Sequence, residues 1–269
     1  MPNTVLITGA STGIGRDTAK LFHANGWNVV ATMRTPEKAA DWAVDGERML
    51  VQRLDVTDPD SIALARDNAV ARFGRIDVVV NNAGNGLVGP FEATEHAQVA
   101  RQIETNVYGV MHVTRAMLPL LRAQRSGILI NVASMGGRIT FPLYSVYHAT
   151  KWAVEGFTES LQHELRQFGV RVKIIEPGPI KTDFYDRSMD VVSRPDLSMY
   201  DGYVARTMGK MQRAGADAPD GTLVARVIYR AATDGSTRLR YSANATMILT
   251  LRKLLPDRWF NAIVRAAVE

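Results

Sequence analysis

The sequence predicts an α/β protein: a doubly wound parallel sheet with helices on both faces. Two observations carry this expectation. Short β-branched apolar runs recur along the chain, separated by segments with helical periodicity. The chemically distinctive polar residues fall just past the end of such a run or on the helix that follows. That edge is where open parallel sheets bind ligands. The 269 residues suffice for one large, well-buried domain. No repeat, low-complexity stretch or linker divides it, so residues 1–269 read as a single domain.

Residues 4–8 (Thr-Val-Leu-Ile-Thr) form the first run, a buried parallel strand. It ends in Gly9-Ala10-Ser11-Thr12-Gly13-Ile14-Gly15, and a helical pattern with Ala19, Leu21 and Phe22 follows. Glycines between a strand and a helix let the backbone approach a pyrophosphate, and the helix start offers unpaired N–H groups. The spacing is G-x-x-x-G-x-G. Ser11 suits either a phosphate contact or a turn-stabilising role. Residues 27–33 read as the second strand, at whose carboxyl end a dinucleotide's adenosine ribose lies. Met33-Arg34-Thr35 offers a guanidinium there and no carboxylate, which points to NADP(H), with Arg34 on the 2′-phosphate.

Residues 48–54 make the third strand, followed by Asp55-Val56-Thr57 and by Asp58-Pro59, a helix cap with proline at the first helical position. Capping accounts for Asp58 and leaves Asp55 to meet an adenine amino group. Residues 76–80 are the fourth strand, and Asn81-Asn82-Ala83-Gly84 after it permit close backbone approach and bracing between strands. The same residues would also suit an ordinary turn. A long helical pattern covers 94–121, with Asn106 among its apolar positions and Pro119 placed to kink its last turn. A buried amide must find partners, so Asn106 reads equally as a functional residue or a satisfied core asparagine. Residues 127–133 are the fifth strand, with Ser134-Met135-Gly136-Gly137 after it. A helix from about Tyr147 to Phe168 comes next, then a sixth strand at 170–175 running into Glu176-Pro177-Gly178-Pro179-Ile180-Lys181-Thr182.

Tyr147 and Lys151, four residues apart, share a helix face. An ammonium beside a phenol favours phenolate. Bringing a phenol from about 10 to near 7 takes roughly 4 kcal/mol of differential interaction. Such a phenol can give a proton to a carbonyl oxygen or take one from an alcohol.

Thr8-Gly9-x-x-x-Gly13-Ile14-Gly15, Asn81-Asn82-Ala83-Gly84, Asn106, Ser134, Tyr147-x-x-x-Lys151 and Pro177-Gly178 occur in the order of the short-chain dehydrogenase/reductase motifs. The chain resembles that family over residues 4 to about 183, and within it the 17β-hydroxysteroid dehydrogenase/retinol dehydrogenase-like branch. The resemblance implies a Rossmann-type sheet of seven strands and an NADP(H)-dependent oxidoreductase acting on a hydrophobic ketone, aldehyde or secondary alcohol. Tyr147 would be its general acid/base. Lys151 would lower the tyrosine's pKa and bind the nicotinamide ribose, and Ser134 would hold the substrate oxygen. Asn106 would interrupt its helix and position a water leading from Lys151 to solvent. Pro177, Gly178, Ile180 and Thr182 would flank the nicotinamide. Met135, Tyr144, Phe184 and Tyr185 would line the substrate pocket, with Tyr144 just ahead of the helix proper. Homodimers or homotetramers would form through the helices at 101–121 and 147–168.

Beyond residue 183 the periodicity weakens. The segment 184–215 holds Met189, Val191, Val192, Met199, Tyr200, Tyr203 and Met208. It would cover a bulky apolar substrate, or equally pack as surface helices on the core. Residues 223–232 read as a helix and 238–242 as a seventh strand. The extension at 244–269 alternates apolar and basic residues. Such a segment can lie on a membrane, but more often packs on its own domain or a sister subunit, so membrane contact is not expected.

Composition narrows the alternatives. With no cysteine, thiol chemistry and disulfides are excluded. The five histidines show no metal-ligand spacing, and no basic block interleaved with aromatics points to nucleic acid. No apolar run spans a bilayer and no leader pattern opens the chain, so a cytoplasmic protein is expected. Two other functions stay in view: a cofactor-binding sensor without turnover, and an NAD-dependent alcohol dehydrogenase.

Overall fold

A computed structural model describes residues 2–39, 41–43, 46–182, 189–192 and 194–268. In chain order the strands are β1 (Thr4–Ile7), β2 (Asn28–Met33), β3 (Met49–Arg53), β4 (Val78–Asn81), β5 (Gly86–Val88), β6 (Gly127–Val132), β7 (Val170–Pro177), β8 (Met189–Val191) and β9 (Arg240–Ala243). Seven of them form one sheet in the order β3-β2-β1-β4-β6-β7-β9, parallel throughout. This is the expected doubly wound arrangement, with the chain reversing its direction of winding between β1 and β4. The seventh strand begins two residues later than the apolar pattern suggests. The short β5 and β8 pair separately; three residues each, they leave no readable period in the sequence.

The helices are α1 (Gly13–Ala24), α2 (Pro59–Phe73), α3 (His96–Ile103), α4 (Gly109–Gln124), α5 (Ser145–Leu165), α6 (Asp201–Ala216), α7 (Gly221–Thr233), α8 (Thr246–Leu254) and α9 (Asp257–Val268). They cover both faces of the sheet because each strand alternates its apolar residues between two cores. Val5, Ile7, Val78, Val80, Ile128 and Ile130 face the layer of α1 and α7, where Phe22 meets Trp27 and Tyr229 edge-on. Leu6, Val79 and Leu129 face the other way, onto Ile62, Met117, Leu121 and Leu161 of α2, α4 and α5. A strand buried on both faces needs this continuous apolar run.

Local chemistry sets the element boundaries. Asp58 accepts hydrogen bonds from the N–H groups of Asp60 and Ser61, Pro59 takes the first helical position, and Gly74 ends α2 in a left-handed conformation (φ 79°). The helical pattern over 94–121 is interrupted at Asn106, where the family resemblance implied a break: a π-type turn, Glu104–Tyr108, separates α3 from α4. Pro119 sits within α4, which continues to Gln124 beyond it. The tail is two helices that break at Pro256.

Candidate active site

The predicted residues gather along the carboxyl edge of the sheet. Gly9 and Gly13 have left-handed backbones (φ 66° and 52°) that turn the chain from β1 into α1. Thr12 caps α1 without a side-chain bond, so Ser11, Thr12, Gly13 and Ile14 present bare backbone at the helix start. Gly15 must be glycine, since a side chain would drive into the Gly9 carbonyl. A Cβ on Gly13 would stand 3.5 Å from that of Thr182, so the segment after β7 meets the glycine turn. Gly13 and Thr182 also border a polar hollow of about 300 Å³ shared with Arg16 and Asp220.

Arg34 is exposed directly after β2. Asp55 Oδ1 accepts from the Thr57 N–H (3.0 Å) and hydroxyl (2.8 Å), closing a turn after β3. Val56 is buried beside it and packs against Gly109. Asn82 braces strands, donating to the carbonyls of Thr8 (3.0 Å) and Gly9 (3.2 Å), while the Thr8 hydroxyl accepts from the N–H groups of Asn82 and Ala83. Behind them Asn81 donates to Asn131 (2.8 Å) and Thr114 (3.2 Å), and Asn131 donates to Thr158 (2.8 Å). This amide chain ties β4 and β6 to α4 and α5. Gly84 lies against both Asn106 and Lys151: a Cβ there would stand 3.2 Å from Asn106 Oδ1 and 3.9 Å from Lys151 Nζ.

Asn106 sits at the centre of the π-type turn, buried. Its Oδ1 accepts from the Asn85 N–H (2.9 Å), and its amide donates to Asn85 O (2.8 Å) and Thr150 Oγ1 (3.1 Å). Thr150 in turn donates to the Tyr147 carbonyl (2.7 Å), so the amide is linked to the start of α5. Ser134, half-buried two residues past β6, accepts from the Gly136 N–H (3.0 Å). Tyr147 is half-buried in the first turn of α5, and Lys151 Nζ lies 5.7 Å from its ring. Lys151 is buried and donates to the Val132 carbonyl at 3.0 Å. Burial lowers its pKa to about 8, against the opposing pull of the Glu155 carboxylate. The ammonium therefore persists at neutral pH.

Two neighbours were not singled out in the sequence. His148 is buried; its Nε2 accepts from the Phe141 N–H (2.9 Å), which leaves Nδ1 to donate to Gly136 O (2.9 Å). Burial holds its pKa below the ordinary value, and the neutral ring clamps the Ser134–Gly137 turn to α5. A lone histidine on a helix carries no sequence signal for this role. Glu155, one turn after Lys151, is buried beside Glu176. Arg240 Nε reaches both carboxylates (3.0 and 3.5 Å), and Arg138 approaches Glu176 at 3.4 Å. Burial, reinforced by the Glu176 charge, raises the Glu155 pKa to about 7. The four-residue spacing from Lys151 was the available signal; the partners from distant strands were not.

Tyr144 immediately precedes α5, as expected, and is buried with Leu143 and Val88. Tyr147, Met189, Tyr203, Val204, Met208 and Met211 pack against this cluster. The methionines of 184–215 thus divide: Met189 and Met208 pack on the Leu143–Tyr144 cluster, as Tyr147 does, whereas Met199 is exposed. Met135, partly buried beside Ser134, packs with Ile139, Leu249 and Phe260 under the C-terminal helices. Phe184 and Tyr185 lie outside the described residues. Among the described residues no cluster of acidic or histidine side chains could hold a metal, and no helix is long and apolar enough to cross a membrane.

The profile of the short chain dehydrogenase family matches residues 3–190. The chain belongs to that family. An uncharacterized oxidoreductase of Schizosaccharomyces pombe is 38% identical over 221 residues, covering 81% of this chain and 92% of the relative. Retinol dehydrogenase 8 of Bos taurus is 35% identical, covering 95% and 86%. The 3-ketodihydrosphingosine reductase of Bacteroides thetaiotaomicron is 38% identical, covering 69% and 66%. Among solved structures, a short-chain dehydrogenase from Streptomyces avermitilis superposes with a TM-score of 0.81 at 34% identity, covering 93% of this chain and 91% of that one. ElxO with NADP bound gives 0.76 at 27% identity (92% and 100% covered). A short-chain dehydrogenase/reductase from Burkholderia phymatum in complex with NAD gives 0.78 at 25% (93% and 92%).

Proposed function

We propose that this short-chain dehydrogenase moves a hydride between the nicotinamide of NADP(H) and a hydrophobic ketone, aldehyde or secondary alcohol. The observation that carries the reading is Lys151: a buried ammonium, fixed by the Val132 carbonyl beside the Tyr147 ring. The glycine turn fits a dinucleotide: Gly15 lets α1 start hard against the Gly9 carbonyl, and the N-cap Thr12 makes no side-chain bond to the first N–H groups, which a phosphate could then take. Gly9, Ser11, Thr12, Gly13, Ile14 and Gly15 would hold the pyrophosphate, Arg34 the 2′-phosphate, and Asp55 and Val56 the adenine side. Asn82, Ala83, Gly84, Pro177, Gly178, Ile180 and Thr182 would shape the nicotinamide end. When bound, the cofactor supplies or accepts the hydride at its nicotinamide ring.

The protein's own groups manage the proton. Tyr147 gives it to the carbonyl oxygen in reduction and takes it from the alcohol in oxidation. The Lys151 charge favours the phenolate during that exchange. Ser134 already accepts from Gly136, which directs its own O–H toward the substrate oxygen. Asn106 is engaged by Asn85 and Thr150, so a water leading from Lys151 to solvent would be held by the backbone of the widened turn. Leu143, Tyr144, Met189, Tyr203 and Met208 supply an apolar wall beside Tyr147, which supports a hydrophobic substrate. The names of the retinol and sphingoid relatives agree with that class. Exposed Ile103, Tyr108 and Trp152 on α3 to α5 support assembly with a second copy through these helices.

The test is NADPH oxidation with small, aromatic and steroid-sized carbonyls, with NADH in parallel, for the wild type and Tyr147→Phe. Turnover in the wild type, and its loss in the variant with NADPH affinity retained, is the expected result. Near-normal activity of Tyr147→Phe refutes the proposal. Tight NADPH binding without any turnover favours the sensor reading.

A further inference from the structure

The C-terminal helix pair carries more apolar surface than its own packing uses. Leu249 of α8 and Phe260 and Val264 of α9 are buried with Ile139 and Ala245, which docks the pair beside Met135 and Phe141. That contact meets the expectation that the amphipathic tail packs on its own domain. A second set remains outside it. Met247 is 78% exposed, Leu254 71%, Trp259 59% and Ile263 41%. At about 100° per residue, Met247 and Leu254 share the side of α8 turned away from Leu249, and Trp259 and Ile263 form one stripe along α9.

The charges beside this stripe share one sign. Residues 246–268 contain Arg252, Lys253, Arg258 and Arg265 against a single acid, Asp257. Asp257 is paired with Arg252, whose guanidinium lies over the Phe260 ring. Lys253, Arg258 and Arg265 are all exposed. A two-fold contact between copies through this face would bring the cationic set against itself. An anionic bilayer offers hydrocarbon for the apolar side chains and counter-charge for the basic ones, and an indole suits the headgroup level.

We propose that the α8–α9 face of this short-chain dehydrogenase seats peripherally on an anionic lipid surface, with Met247, Leu254, Trp259 and Ile263 inserted and Lys253, Arg258 and Arg265 at the headgroups. The inner side of the same helix pair packs on Met135, next to Ser134. Docking therefore brings the wall of the candidate site close to the phase in which apolar carbonyl compounds dissolve.

The test is co-sedimentation of the full chain with vesicles of phosphatidylcholine alone and of phosphatidylcholine mixed with phosphatidylglycerol. Binding to the mixed vesicles, weakened by salt and absent with phosphatidylcholine alone, is expected. The double variant Trp259→Ser/Ile263→Ser should bind at least about tenfold more weakly. The triple variant Lys253→Gln/Arg258→Gln/Arg265→Gln should lose the dependence on anionic lipid. Both variants should keep the wild-type melting temperature, because the altered side chains are exposed. No binding to mixed vesicles, equal binding to both vesicle types, or undiminished binding of the double variant overturns the proposal. So does self-association in solution that the double variant abolishes, since a second copy would then cover the stripe. None of these outcomes depends on turnover.

Discussion

Replacing Glu155 with glutamine keeps the shape of a buried carboxyl group and removes its ability to ionise. In the folded chain that group faces Lys151 and Glu159 on its own helix, Glu176 at the end of β7, Arg240 on β9 and Arg138. Burial and the Glu176 charge raise its pKa from 4.5 to about 7. The folded state therefore holds a proton that the unfolded chain has already released in this interval. By linkage, the group's contribution to stability falls as pH rises from the unfolded to the folded pKa. At about 1.4 kcal/mol per pKa unit, the wild type should lose about 2.5 kcal/mol relative to Glu155→Gln between about pH 5 and pH 8. The charge-dependent part of the Arg240 contact is already contained in that pKa, so only the loss of the neutral carboxyl's packing adds a constant offset. Glu176, also raised by burial, titrates in both proteins, and its coupling to Glu155 spreads the wild-type loss over a wider pH range. Urea unfolding of both proteins across this range gives the difference directly. A stability difference that stays constant within about 0.5 kcal/mol would refute the assignment of a raised pKa to Glu155.

Two further substitutions test other parts of the molecule. Arg34→Ala should lower the NADPH/NADH ratio of kcat/KM by about tenfold to a hundredfold, the worth of a charge-assisted bond to phosphate; an unchanged ratio removes Arg34 from cofactor choice. Lys173→Met, at a fully buried lysine that donates to Ser236 O (2.6 Å), Arg238 O (2.8 Å) and the Tyr241 hydroxyl (3.0 Å), should destabilise by about 3 kcal/mol in urea unfolding, and a loss below about 1 kcal/mol contradicts it.

The sheet was legible because its strands are buried on both faces. Runs such as Val78-Val79-Val80 admit few other readings once helical segments separate them. The site edge was legible for a related reason: a parallel sheet delivers every strand's carboxyl end to one side, so Gly9, Asn82, Ser134 and Gly178 sort together from sequence position alone. What escaped depends on contacts between distant residues or on deviations too short for a period to reveal. Glu155 meets Arg240 across 85 positions of chain, and nothing local to either predicts the other. The π-type turn at Asn106 is too short for a helical period to reveal, and only the family resemblance placed an interruption there. The bonds from Thr57 to Asp55 Oδ1, which close a turn after β3, were likewise not read from the sequence. The tail's pattern was visible, but which of its apolar residues the fold covers depends on Ile139, more than a hundred residues upstream.

The bond between the end of β7 and β9 has a consequence for synthesis. Gly178 N–H donates to the Ala243 carbonyl, and Asn244 donates to Pro179 O, so the segment after β7 is braced by β9 and the residue that follows it. Earlier strands can pair as they emerge from the ribosome, but this brace is missing until residue 244 is free. Closing so long a loop is slow relative to local helix formation. A nascent chain can thus pair six strands of the sheet while the segment after β7 still lacks its brace.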